Sequence, residues 1–128
     1  MTAPHEVCRT SRCMILLVDD EPLIRRLTAR ALAEADYDVL EAADGDEALE
    51  VLRSGAPVDV VISDVMMPRM SGLELAAHVK SEFPDLRMIL VSGYESGRNT
   101  PFPLLPKPFQ LPQLVAMITR ALEGEELT

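Results

Sequence analysis

Two kinds of apolar pattern alternate along this chain: short continuous runs without a period, and longer stretches in which apolar residues recur every three or four positions. Met14-Ile15-Leu16-Leu17-Val18 is uninterrupted, the pattern of a strand covered on both faces and therefore central in its sheet. Pro22 suits a first helical turn, and Ile24, Leu27, Ala31 and Ala35 follow it with helical spacing. Residues 37–41 predict a short second strand. Asp44-Gly45-Asp46 then opens a helix with Ala48, Leu49 and Leu52 as its buried stripe, and Ser54-Gly55 ends it. Residues 58–63, rich in β-branched side chains, predict a third strand that runs up to Asp64, with a loop over 66–72 behind it.

The same alternation continues to the end of the chain. A helix over 73–82 stops before Phe83-Pro84-Asp85, and 86–91 predict a fourth strand closed by Ser92-Gly93. Residues 102–106 read as a fifth strand, and its two prolines, which donate no ladder hydrogen bonds, place it at an edge. Leu111, Leu114, Val115, Ile118 and Leu122 trace one face of a C-terminal helix. Strands alternating with helices predict right-handed crossovers and a doubly wound parallel α/β sheet. Residues 1–13 lack periodicity and read as a mobile tail, 14–123 as the packed domain and 124–128 as a C-terminal tail.

Composition narrows the class. With 128 residues, 48% of them hydrophobic, the chain suits one packed domain and leaves no room for a separate effector domain. The formal charge of -9 disfavours direct binding of nucleic acid, which needs Lys and Arg to neutralise phosphates. No apolar stretch approaches the roughly 20 residues that span a bilayer, and there is no signal-peptide core, so the reading is a cytoplasmic protein without membrane insertion. Cys8 and Cys13 precede the first apolar run and read as reduced thiols; with His5 they fall one ligand short of a zinc site.

Charges stand where the buried strands end. Asp19 and Asp20 follow the first, Asp64 the third and Lys107 the fifth, and in an open parallel sheet such positions converge on one crevice. Three carboxylates in a small volume repel one another by roughly 4 kcal/mol per pair at about 4 Å, which calls for a cation; Mg2+, an oxygen-seeking ion, fits. Asp64 is the candidate nucleophile for a phosphoryl group and Lys107 a compact counter-charge, its direction set if Lys107-Pro108 is a cis peptide. The Ser92 hydroxyl can donate to a phosphoryl oxygen. The plainer readings are a helix cap for Asp19, turn formers for Asp64 and Ser92, and a solvated lysine for Lys107.

Leu17-Val18-Asp19-Asp20-Glu21-Pro22, Ser63-Asp64-Val65-Met66-Met67-Pro68, Ser71-Gly72, Val91-Ser92-Gly93 and Lys107-Pro108-Phe109 together resemble the receiver domain of two-component response regulators. The resemblance covers Met14 to about Leu122. It implies a flavodoxin-like, five-stranded sheet of order 2-1-3-4-5, Mg2+ held by Asp19, Asp20, Asp64 and the carbonyl of Met66, and phosphoryl binding by Ser92 and Lys107. It also implies that Asp64 takes phosphate from a histidine kinase or a histidine phosphotransfer protein, and that the output is protein–protein contact with a downstream target.

Three departures from the family pattern bear on output and lifetime. Only 14 residues separate Ser92 from Lys107, so the fourth helix of the family is expected to be absent or reduced to a turn. Leu104 stands at the switch position where the family carries Tyr or Phe, which leaves Tyr94 or Phe102 as replacements. Met66 and Tyr94 flank the path of the hydrolytic water without a group to orient it, and slow self-dephosphorylation follows. The leading expectation is a freestanding phosphorylatable receiver, a signalling substrate and not a turnover enzyme; the alternatives are the receiver portion of a hybrid histidine kinase or a Mg2+-dependent phosphatase.

Overall fold

The computed structural model describes residues 13–93 and 102–123. The chain order is β1 (Met14–Val18), α1 (Pro22–Glu34), β2 (Asp38–Ala42), α2 (Gly45–Arg53), β3 (Val60–Asp64), α3 (Gly72–Glu82), β4 (Arg87–Ser92), β5 (Leu104–Pro106) and α4 (Leu111–Leu122). The five strands form one parallel sheet of order β2-β1-β3-β4-β5, so the chain turns outward in opposite directions from β1. β5 lies at an edge, as its prolines require.

The continuous apolar runs are explained by a sheet covered on both faces. Leu16, Val18, Val61, Met88 and Leu90 pack under α2 and α3 with Leu49, Leu75 and Val79. Ile15, Leu17, Val60, Ile62, Ile89 and Val91 pack on the other face under α1 and α4 with Leu32, Leu114 and Ile118. Every second residue thus serves a different core, and a strand exposed on neither face cannot alternate with polar residues.

Boundaries moved by a residue or two, each for a local reason. β2 begins at Asp38, not Tyr37, because Asp36 takes a left-handed φ of 76° and Tyr37 N–H donates back to Leu32 O at 3.2 Å, closing α1. β3 begins at Val60 because Asp59 is used otherwise: its Oδ2 accepts from Met14 N–H at 2.8 Å, joining the starts of β1 and β3. α3 begins one residue early at Gly72, where Ser71 and Glu74 form a reciprocal capping box. The Lys107-Pro108 peptide is cis. The expected loss or reduction of the fourth helix falls on residues 94–101, Tyr94 among them, which lie outside the described residues, as do residues 1–12, with Cys8, and 124–128.

Candidate functional site

Parallel register brings the charged strand ends level. Val18 pairs with Ser63, Asp64 with Val91 and Ser92 with Pro106, so Asp19, Asp64, Ser92 and Lys107 stand within two residues of one another along the carboxyl edge. One carboxylate oxygen from each of Asp19, Asp20 and Asp64 lies within 4.8 Å of the other two. Lys107 Nζ donates to Asp64 Oδ2 at 3.0 Å. The four charges read from the sequence therefore meet.

The backbone around Asp64 is tightly held. Met66 N–H donates to Asp64 Oδ1 at 3.3 Å, Val65 N–H to Val91 O at 2.9 Å, and Ser63 Oγ to the Asp64 carbonyl at 3.0 Å. Gly72 passes so close that a Cβ there would sit 2.8 Å from Val65 Cα and overlap the Asp64 carbonyl oxygen. In the sequence Gly72 reads as loop and, with Ser71, as part of the family resemblance; its close approach to the backbone of Asp64, the candidate nucleophile, is a tertiary fact.

Asp19 is the most enclosed of the three carboxylates, 8% exposed. Burial raises its pKa above the ordinary value; Asp64 and Asp20 add to the rise, against the hydrogen bond from Glu21 N–H and the charge of Lys107. That bond, at 3.0 Å to Oδ1, anchors the turn before α1, yet the N-cap is Glu21 and carries no side-chain cap. For Lys107, burial works to lower the pKa, but the hydrogen bond and charge of Asp64 outweigh it and the net shift is upward, with Asp19 and Glu21 contributing. The ammonium stays charged throughout the physiological range.

Charge balance tests the fit of a metal. At an effective dielectric near 20, two carboxylate charges about 4 to 5 Å apart repel by roughly 3 to 4 kcal/mol. Three such charges face one ammonium, and the donor set is all oxygen, which matches Mg2+ chemistry. Beneath the carboxylates a narrow cleft of about 40 Å3, lined by Ile24, Thr28, Ile62, Val91, Phe109 and Leu114 among others, gives the site an apolar floor.

The remaining predicted residues divide. Ser92 is buried at the end of β4, and its carbonyl accepts from Lys107 N–H at 2.7 Å. Met66 is 55% exposed at the rim. Leu104 is half-buried and packs, with Phe102, against the α2–α3 side of the sheet. Sequence reasoning passed over Arg25: its Nη1 donates to the Asp19 carbonyl at 2.8 Å and its Nε to Glu41 Oε1 at 2.9 Å.

Residues 15–119 match the family model described as the response regulator receiver domain. The chain is 43% identical over 120 residues to the sensor kinase CckA of Brucella abortus, covering 88% of this chain and 13% of that protein. It is 38% identical over 121 residues to the DNA-binding transcriptional regulator NtrC of Escherichia coli K12, covering 87% and 25%. Among solved structures, the response regulator TrrA of Thermotoga maritima, in complex with Mg2+ and BeF, superposes with a TM-score of 0.79 at 34% identity, covering 85% of this chain and 98% of that one. The chain thus spans a quarter or less of these two curated relatives' length.

Proposed function

The chain belongs to the response regulator receiver domains, the phosphorylatable signalling modules of two-component systems, and on that premise we propose that Asp64 is its phosphoryl acceptor. The observation that carries this reading is the convergence of Asp19, Asp20 and Asp64 within 4.8 Å, with Lys107 hydrogen-bonded to Asp64. In the proposed step an Asp64 carboxylate oxygen attacks the phosphorus of a phosphohistidine. The P–N bond breaks, and its electron pair leaves on the imidazole nitrogen, which takes up a proton. Asp19, Asp20, Asp64 and the carbonyl of Met66 would hold Mg2+, which when bound would supply positive charge to the phosphoryl oxygens.

Lys107 then exchanges its contact with the carboxylate for one with the phosphoryl group, and the Ser92 hydroxyl donates to a second oxygen. The donor is a histidine kinase or phosphotransfer protein. Its approach is supported by α1, where Leu23 is 70% and Leu27 57% exposed next to Ile24, which lines the cleft under the site. The transfer is self-catalysed, the protein acting as switch and not as turnover enzyme, and the signal leaves through contact with a protein target. Among the described residues no helix is long and apolar enough to cross a membrane, in keeping with a cytoplasmic site of action.

Asp64→Asn tests this directly. A small phosphodonor with Mg2+ labels the wild type with acid-labile phosphate and leaves Asp64→Asn unlabelled; equal labelling of both sinks the reading. The likeness to the sensor kinase CckA supports a second setting, the receiver portion of a hybrid kinase. The size of the native polypeptide on an immunoblot separates the two.

A further inference from the structure

Arg25 breaks a local rule. It sits in the first turns of α1, where the helix dipole favours acidic residues; the first turn carries none. Its side chain is nevertheless only 14% exposed, and both edges of the guanidinium are used: Nη1 on the Asp19 carbonyl at 2.8 Å, Nε on Glu41 Oε1 of β2 at 2.9 Å. Arg26, by contrast, is 75% exposed and reaches the same Glu41 oxygen only at 3.6 Å. A partly buried, forked cation aimed at one backbone carbonyl is a specific arrangement.

That carbonyl belongs to the peptide joining Asp19 to Asp20. Fixing its direction fixes the plane of the 19–20 peptide, and with it the direction in which the Asp20 side chain leaves the backbone. The same turn is held on its other side by Asp19 N–H on Ala42 O at 3.1 Å and by Glu21 N–H on Asp19 Oδ1 at 3.0 Å. Without Arg25 the mutual repulsion of the carboxylates is free to turn the peptide and splay Asp20 outward. Glu41 cancels the guanidinium charge, so the clamp brings order without placing a net cation against the metal.

We infer that Arg25 is a positioning residue for the metal-binding carboxylates, acting through the Asp19 carbonyl with Glu41 as its counter-charge; this rests on the phosphoryl-acceptor reading above. Groups that orient metal ligands typically carry a roughly 10- to 100-fold effect on metal affinity. Isothermal titration of the folded, full-length chain with MgCl2, well below its melting temperature, gives the test. Arg25→Met, which keeps the aliphatic stem, raises the Mg2+ Kd by roughly 10-fold or more. Arg25→Lys, which keeps the charge but loses the fork, recovers only part of it, and Glu41→Gln shifts the Kd in the same direction as Arg25→Met. A merely structural arginine lowers melting temperature and leaves the Kd of the folded protein alone, so Arg25→Met within twofold of a Mg2+-binding wild type, or full recovery by lysine, overturns the inference. A wild type that shows no Mg2+ binding beyond an Asp19→Asn, Asp64→Asn control overturns the metal reading and this inference together.

Discussion

Replacing Gly72 by Ala should damage both stability and the site. A Cβ at this position lies 2.8 Å from Val65 Cα and 3.0 Å from the Asp64 carbonyl carbon, and overlaps the carbonyl oxygen. All three neighbours are main chain, so none can swing away. Bringing Val65 Cα back to ordinary contact at 3.4 Å requires at least about 0.6 Å of separation between α3 and β3. The Gly72 N–H bond to Val65 O, 2.8 Å long, stretches with it. Overpacking of this kind costs about 1 to 3 kcal/mol, and a weakened hydrogen bond about 1 more, while the helix propensity of Ala over Gly returns about 1 at most. The net loss is about 2 kcal/mol, a fall in Tm on the order of 10 °C for a domain of this size. Gly45→Ala is the control, because the three atoms nearest its Cβ all belong to the Met70 side chain, with Sδ at 2.6 Å; a flexible thioether can move aside where main chain cannot, at a smaller cost than at Gly72. Urea titrations of the metal-free proteins should show a lower midpoint with unchanged slope for Gly72→Ala and little change for Gly45→Ala. Phosphorylation of Gly72→Ala by a small phosphodonor should also slow, since the backbone of Asp64 has moved. Equal midpoints for Gly72→Ala and wild type, or a larger loss at Gly45, would refute the reasoning.

At the proposed site, protons and Mg2+ would compete for Asp19. Its folded pKa is raised, by burial first and by Asp64 and Asp20 after, so the metal-free native state takes up this proton before the unfolded chain does, and Asp19's contribution to stability improves as pH falls. The stabilisation that saturating Mg2+ provides should therefore shrink from neutral to mildly acid pH, read from urea midpoints with and without the ion; a pH-independent increment contradicts this. Ser71→Ala removes half of the capping box, with Ser71 Oγ 3.2 Å from Glu74 N, and should cost about 1 kcal/mol in chemical denaturation. Met66→Asn places an amide at the exposed rim of the site and should shorten the lifetime of phosphorylated Asp64 several-fold; an unchanged decay rate shows that Met66 does not obstruct the water.

What was legible in the chain follows from how each feature is encoded. β1, β3 and β4 announce themselves because burial on both faces demands uninterrupted apolar runs, and a charge directly after such a run can stand only at the sheet's edge. The start of α3 was placed one residue late, because Gly72 reads as loop; the capping box of Ser71 and Glu74 that fixes it was passed over. Arg25 was not legible. Its partners, a carbonyl six residues back and Glu41 on a neighbouring strand, are set by tertiary placement, and Arg26 and Arg30 on the same helix look identical in sequence. The end of α1 likewise depends on Asp36 adopting a left-handed turn, which no periodic pattern reveals.

The bond from Lys107 N–H to the Ser92 carbonyl joins the two residues proposed to bind the phosphoryl group through main chain, across the last rung of the β4–β5 ladder. They are one mechanical unit, so a displacement of the edge strand reaches both contacts at once. Reciprocity then applies: a partner that grips β5 more tightly after phosphorylation must, by the same free energy, favour the phosphorylated form while bound. The target of such a switch would therefore also raise the share of the phosphorylated form at equilibrium, by the free energy with which it prefers that form.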